Sequence, residues 1–168
     1  MENDIDALSI IAEVTIAFVA FVTIVASIKL SLGGDLTAHQ RLVIHYFTES
    51  SMISISILLL TIVLIRWLPG RTVLVGTISC VYAFIVTALY LAWYMKRRFA
   101  IGAPRPVVSM LVILGYFVMI VLLGITVSGV YWQPSIKIIE AVSLWNLVGS
   151  GLIFTAFLSS FIDKDSTA

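Results

Sequence analysis

A chain of 168 residues that is 61% hydrophobic, 11% charged and +1 in net charge, with a mean hydropathy of +1.12, has lipid as its main solvent. That composition excludes a water-soluble domain, and near-neutral charge with basic residues confined to segment ends excludes nucleic acid as a partner. The single cysteine, Cys80, excludes an internal disulfide and a cysteine-built zinc or iron–sulfur centre.

The apolar runs are about 20 residues or longer, enough to cross a hydrocarbon core of ~30 Å. They are too long for barrel strands of ~10 alternating residues. Helices satisfy their own backbone hydrogen bonds in lipid. The expected fold is therefore all-α, a polytopic transmembrane helical bundle forming one integral membrane domain. Five spans are expected, with four spans plus one interfacial segment as the alternative.

The first span covers about 8–30 and ends at Lys29 and a Gly33-Gly34-Asp35 turn. The acidic stretch before it lacks the positive region of a signal peptide, so this span is expected to remain in the mature protein. Thr37 and Gln40 have capping-box spacing and predict a helix start. That helix continues through Arg41, His45 and Glu49 to Trp67, spans at about 42–67, and stops at Pro69-Gly70. The third span, about 72–94, closes with Tyr90, Trp93 and Tyr94 as an aromatic belt before Lys96-Arg97-Arg98. The fourth, about 107–129, follows Pro104-Arg105-Pro106. An interfacial turn at 130–135 then leads to the fifth, about 136–162, and a polar tail.

Five spans put the termini on opposite sides. With the N-terminus outside, Lys29, Arg41, Lys96, Arg97, Arg98, Arg105 and Lys164 fall inside and only Arg66, Arg71 and Lys137 outside, seven against three. The positive-inside rule then favours an outer N-terminus and a cytoplasmic C-terminus in an inner or plasma membrane.

Ionisable residues within apolar spans mark pairing or functional sites, because each costs about 2.5 to 3.5 kcal/mol at the bilayer centre on insertion scales. Glu13, Glu49 and Glu140 stand in such positions. At 100° per residue Asp6, Glu13, Ala20 and Ser27 share one face of the first helix, with Ser9, Ala17 and Thr23 beside it. His45, Glu49 and Ser56 group on the second, and Glu140, Ser143, Asn146 and Ser150 on the fifth. Depth places Glu13 and Glu140 in an outer layer that can include Arg66, and Glu49 with His45 at an inner mouth. Ser56, Ser143, Asn146 and Ser150 lie between. The set is expected to line a route for an ion, proton or small solute. The plainer reading makes the carboxylates structural clasps paired with Arg66 and Lys137.

Gly76, Ser79, Cys80, Ala83 and Thr87 form a small-residue side of the third helix, expected to pack against another helix within the protomer or between protomers. Other chemistries lack their residues. His39 and His45 sit on one helix, which does not suit a haem; no metal-hydrolase motif, phosphate-binding glycine loop or serine nucleophile with a base is present. Neither metal nor cofactor is expected. Lys96-Arg97-Arg98 with Arg105 can attract anionic headgroups, although a topology role accounts for them as well. The sequence thus predicts a non-enzymatic, homo-oligomeric channel or transporter, or alternatively a subunit, sensor or scaffold that docks through the third helix into a larger membrane complex.

Overall fold

The computed structural model describes residues 2–31, 37–102, 107–129 and 132–165, without the side chains of 2, 29, 30, 39, 157 and 159–165. The Gly33-Gly34-Asp35 turn, the link containing Arg105, residues 130 and 131 of the interfacial turn, the end of the polar tail, and the side chains of Lys29, His39 and Lys164 lie outside the described residues. Within them the chain is a bundle of five helices: α1 Glu2–Ser31, α2 Ala38–Trp67, α3 Thr72–Ile101, α4 Val107–Ser128 and α5 Ile136–Asp165. All five are long and apolar enough to cross a bilayer. The five-span expectation therefore holds in place of four spans plus an interfacial segment.

Local chemistry sets several boundaries. The Thr37 hydroxyl accepts from the Gln40 N–H at 3.2 Å and Gln40 Oε1 accepts from the Thr37 N–H at 3.1 Å, the expected capping box at the start of α2. α1 begins six residues before its apolar run and α3 continues seven residues beyond its own. Hydropathy ends where charge begins, whereas Lys96, Arg97 and Arg98 are good helix formers and carry the backbone ladder onward.

Short connections make successive helices antiparallel. One end of the bundle, the Lys137 end, holds the starts of α1, α3 and α5; the other, the Arg97 end, holds the starts of α2 and α4. α5 touches all four other helices, and α2 packs on α1, α3 and α5. Close approach depends on small residues at two places. A side chain on Gly76 would come within 2.7 Å of the Pro134 carbonyl, and one on Gly115 would overlap the Trp145 ring. Lipid supplies no hydrophobic force between helices, so such contacts determine which faces meet.

The core has two parts. Toward the Lys137 end it is aliphatic, with Leu8, Ile11, Ile57, Leu58, Val75, Leu123 and Ile139 packed together. Toward the Arg97 end it is aromatic. Phe18, Phe47 and Phe154 meet edge to face with ring centroids 5.6 to 5.9 Å apart, beside Tyr46, Tyr90, Tyr94 and Tyr116.

Candidate functional site

At the Lys137 end, Lys137 and Glu140 stand three residues apart at the start of α5 and share a face. Lys137 Nζ donates to both Glu140 carboxylate oxygens at 3.1 Å and lies 3.0 Å from Asp4 Oδ1. A three-residue clasp therefore ties the first turns of α1 and α5. Glu140 occupies the pairing role with Lys137 that the plainer reading gave it.

Glu13 takes no part in that clasp. It is exposed on the outer surface of the bundle, and so are Asp6, Ala17, Ala20, Thr23 and Ser27. The face of α1 that turns inward carries Leu8, Ile11, Ala12, Thr15, Val22 and Ala26. The expected inward direction of the polar stripe is thus reversed. Packing explains the reversal: Leu8, Ile11 and Ala12 fit the aliphatic core, and Thr15 satisfies its hydroxyl on the Ile11 carbonyl at 2.7 Å. Arg66 is also exposed, and no described carboxylate pairs with it or approaches Glu13.

The depth of Glu13 makes its exposure costly. α1 has 30 residues, so its length is about 45 Å at 1.5 Å per residue. Centred on a core of ~30 Å, the helix carries Glu13, eleven residues after Glu2, about 9 Å below the boundary. That is farther than its own side chain reaches.

Inside the bundle runs a column of hydroxyl and amide groups. Ser143, Asn146 and Ser150 of α5 are buried, as are Ser50, Ser54 and Thr61 of α2 and Ser79 and Thr87 of α3. Asn146 Nδ2 donates to Ser54 Oγ at 3.0 Å; Ser56, half-buried, accepts from the Tyr82 hydroxyl at 3.2 Å. The Ser79, Thr87 and Ser143 hydroxyls have no partner among the described residues. Glu13, Glu49 and Glu140 all lie outside this column. Asn146 with Ser54, and Tyr82 with Ser56, link helices in the interior while the carboxylates sit at its edges, so the two halves of the expected route are separated.

At the Arg97 end, Glu49 is half-buried and its Oε1 lies 3.0 Å from Arg97 Nη1 and 3.6 Å from His45 Nδ1. The guanidinium of Arg97 also covers the Trp93 ring, 4.3 Å from its centroid. Glu49 and His45 are close together as their spacing implied. Arg97, which the sequence presented only as part of a basic cluster, completes the group.

Three further residues depart from the sequence reading. Tyr90 and Tyr94 are buried rather than belted at the interface, leaving Trp93 exposed. The Tyr90 hydroxyl donates to the Tyr46 carbonyl, and Tyr46 to the Tyr116 hydroxyl, both at 3.3 Å. Arg98 is also buried, donating to Ser109 Oγ at 2.6 Å and Tyr94 Oη at 3.3 Å. The signal was the spacing 83, 87, 90, 94, 98, which continues the small-residue side of α3. That side, with Gly76, Ser79, Cys80, Ala83 and Thr87, is buried within this chain, against the α4–α5 connection among other contacts. It is unavailable as the docking surface of the alternative reading.

No protein-family model, curated protein or solved structure matches this chain. A described interior that buries hydroxyls and an amide but no carboxylate, and an ionisable residue turned outward on α1, suit chemistry between chains better than chemistry within one.

Proposed function

We propose that the protein works as a homo-oligomer in the membrane, its copies meeting through α1 around an axis that conducts a small cation or protons. The observation that carries this reading is Glu13, exposed at hydrocarbon depth without a described partner. A carboxylate left facing lipid there costs about 2.5 to 3.5 kcal/mol per copy on insertion scales. Protein and water covering that face remove the penalty. Asp6, Ala17, Ala20, Thr23 and Ser27 put polar and small side chains on the same face, among the exposed Ile16 and Ile24, and the small ones allow helices to approach and leave room for water. Closed cyclic symmetry then brings the Glu13 side chains together around one axis.

In this arrangement Glu13 is the ion's ligand or the proton carrier. Asp6 lies toward the outer mouth, and Thr23 and Ser27 lie toward the cytoplasm. The seven-to-three bias of basic residues supports a cytoplasmic Arg97 end. The buried hydroxyl column holds each protomer together.

Flux from liposomes containing the purified chain tests the proposal. Wild-type protein conducts a monovalent cation or protons without a partner. Glu13→Gln lowers the rate about tenfold or more, equivalent to losing about 1.4 kcal/mol or more of stabilisation along the path. Glu140→Gln retains it. Absence of flux for cations and protons, with monomeric protein in the membrane, overturns the reading.

A further inference from the structure

We infer that the Arg97 end holds a binding site for the phosphate of an anionic phospholipid headgroup. The inference is independent of the α1 axis and rests on a cavity of about 420 Å³ between the start of α2 and the end of α3, lined by Ala38, Arg41, Leu42, His45, Arg97 and Ile101. Antiparallel pairing explains the convergence. Positions 38, 41, 42 and 45 share one face of α2, and 97 and 101 share one face of α3.

The lining divides by chemistry. Arg41, His45 and Arg97 supply nitrogen donors, whereas Leu42 and Ile101 supply an apolar floor. Arg97 is already oriented, with Nη1 on Glu49 and its guanidinium face over Trp93. Its Nη2 and Nε donors have no partner among the described residues. A planar guanidinium held this way presents a fixed fork suited to phosphate oxygens. Arg41 and His45 are exposed on the other side of the cavity.

Charge and position choose the ligand. Arg41, Arg97 and Glu49 sum to +1 before any proton on His45, which favours a phosphodiester with no cationic substituent over a choline headgroup. The cavity spans the polar first two turns of α2, where headgroups meet the chain, and Leu42, level with Arg97 in the antiparallel pair, gives the carbon groups beside a phosphate an apolar floor. A free phosphate ion would use the arginines and leave that floor uncovered.

The test is equilibrium binding of a fluorescent short-chain phosphatidylglycerol to the full chain in detergent. Phosphatidylcholine, sodium phosphate and two variants provide the comparisons. Arg41→Gln removes an exposed cavity charge; Lys96→Gln removes an exposed charge at the same end that does not line the cavity. We expect saturable phosphatidylglycerol binding, tighter than phosphatidylcholine. Arg41→Gln weakens it about fivefold, the effect of one basic residue near a lipid surface. Lys96→Gln changes it less than about twofold, because screening limits charges outside the contact. Equal losses in the two variants would show diffuse surface attraction and overturn the site. Equal binding of phosphatidylcholine, or complete displacement by millimolar sodium phosphate, overturns the headgroup assignment.

Discussion

Arg97 Nη1 lies 3.0 Å from Glu49 Oε1, joining the fourth turn of α2 to the last turns of α3. The pair is about two-thirds removed from solvent on each side, with 27% of the Glu49 side chain and 32% of the Arg97 side chain exposed. It fixes the guanidinium that faces the cavity of about 420 Å³ and neutralises a carboxylate that would otherwise repel an anion there. Structure and binding are thus coupled through one ion pair.

That coupling has a modest stability component. A double-mutant cycle of Glu49→Gln and Arg97→Gln, read by chemical or thermal unfolding in detergent, is expected to give an interaction energy of about 0.2 to 1 kcal/mol, the range for incompletely buried pairs. Added salt should reduce it, because water reaches both groups.

Gly76→Ala is expected to destabilise the bundle by about 1 to 3 kcal/mol, as overpacking does in a close-packed interior. The new methyl would lie 2.7 Å from the Pro134 carbonyl and 3.0 Å from the Ser135 nitrogen, both backbone atoms that cannot rotate away. Gly151→Ala is the comparison. Nothing stands within 4 Å of its added carbon, so helix propensity alone acts and stability should be unchanged or higher by up to about 1 kcal/mol. Thermal unfolding followed by circular dichroism separates the two.

Asn146→Leu and Ser54→Ala each remove the buried amide-to-hydroxyl bond between α5 and α2. Their double-mutant coupling should be about 0.6 kcal/mol, near the average for hydrogen bonds between membrane helices. Neither substitution should abolish flux, because the interior column stitches the protomer and is not the proposed path.

The fold was legible because bilayer thickness imposes itself on sequence: five apolar runs, the Thr37–Gln40 capping box and the stop at Pro69-Gly70 locate the helices. The direction of each face was less legible. In water, the apolar side of a helix turns inward; in lipid, apolar residues are stable on either side of α1, and the fit of Leu8, Ile11 and Ala12 decided which face packs. Face and depth correctly set Glu49 beside His45. They did not separate Glu140, clasped by Lys137, from Glu13, because ion pairing depends on neighbours from other turns and helices. Tyr94 and Arg98 reveal a second limit: charge and aromaticity near a span end suggest the interface, whereas their four-residue spacing continued the buried side of α3. The cavity beside Arg97 required the antiparallel meeting of two helices, which no single segment encodes.

Thiol accessibility at position 13 tests the central claim most directly. In a Cys80→Ser background, Glu13→Cys and Val121→Cys each carry one thiol on the outer surface of the described bundle, Val121 being 43% exposed. Centred on the same ~30 Å core, Glu13 of α1 and Val121 of the shorter α4 both lie about 9 Å below the boundary at the Lys137 end, so depth is matched. Charged methanethiosulfonate reagents require a thiolate, which forms in water and not in hydrocarbon. A water-lined axis predicts rapid modification of Glu13→Cys in intact membranes and none of Val121→Cys. Protection of both positions contradicts it.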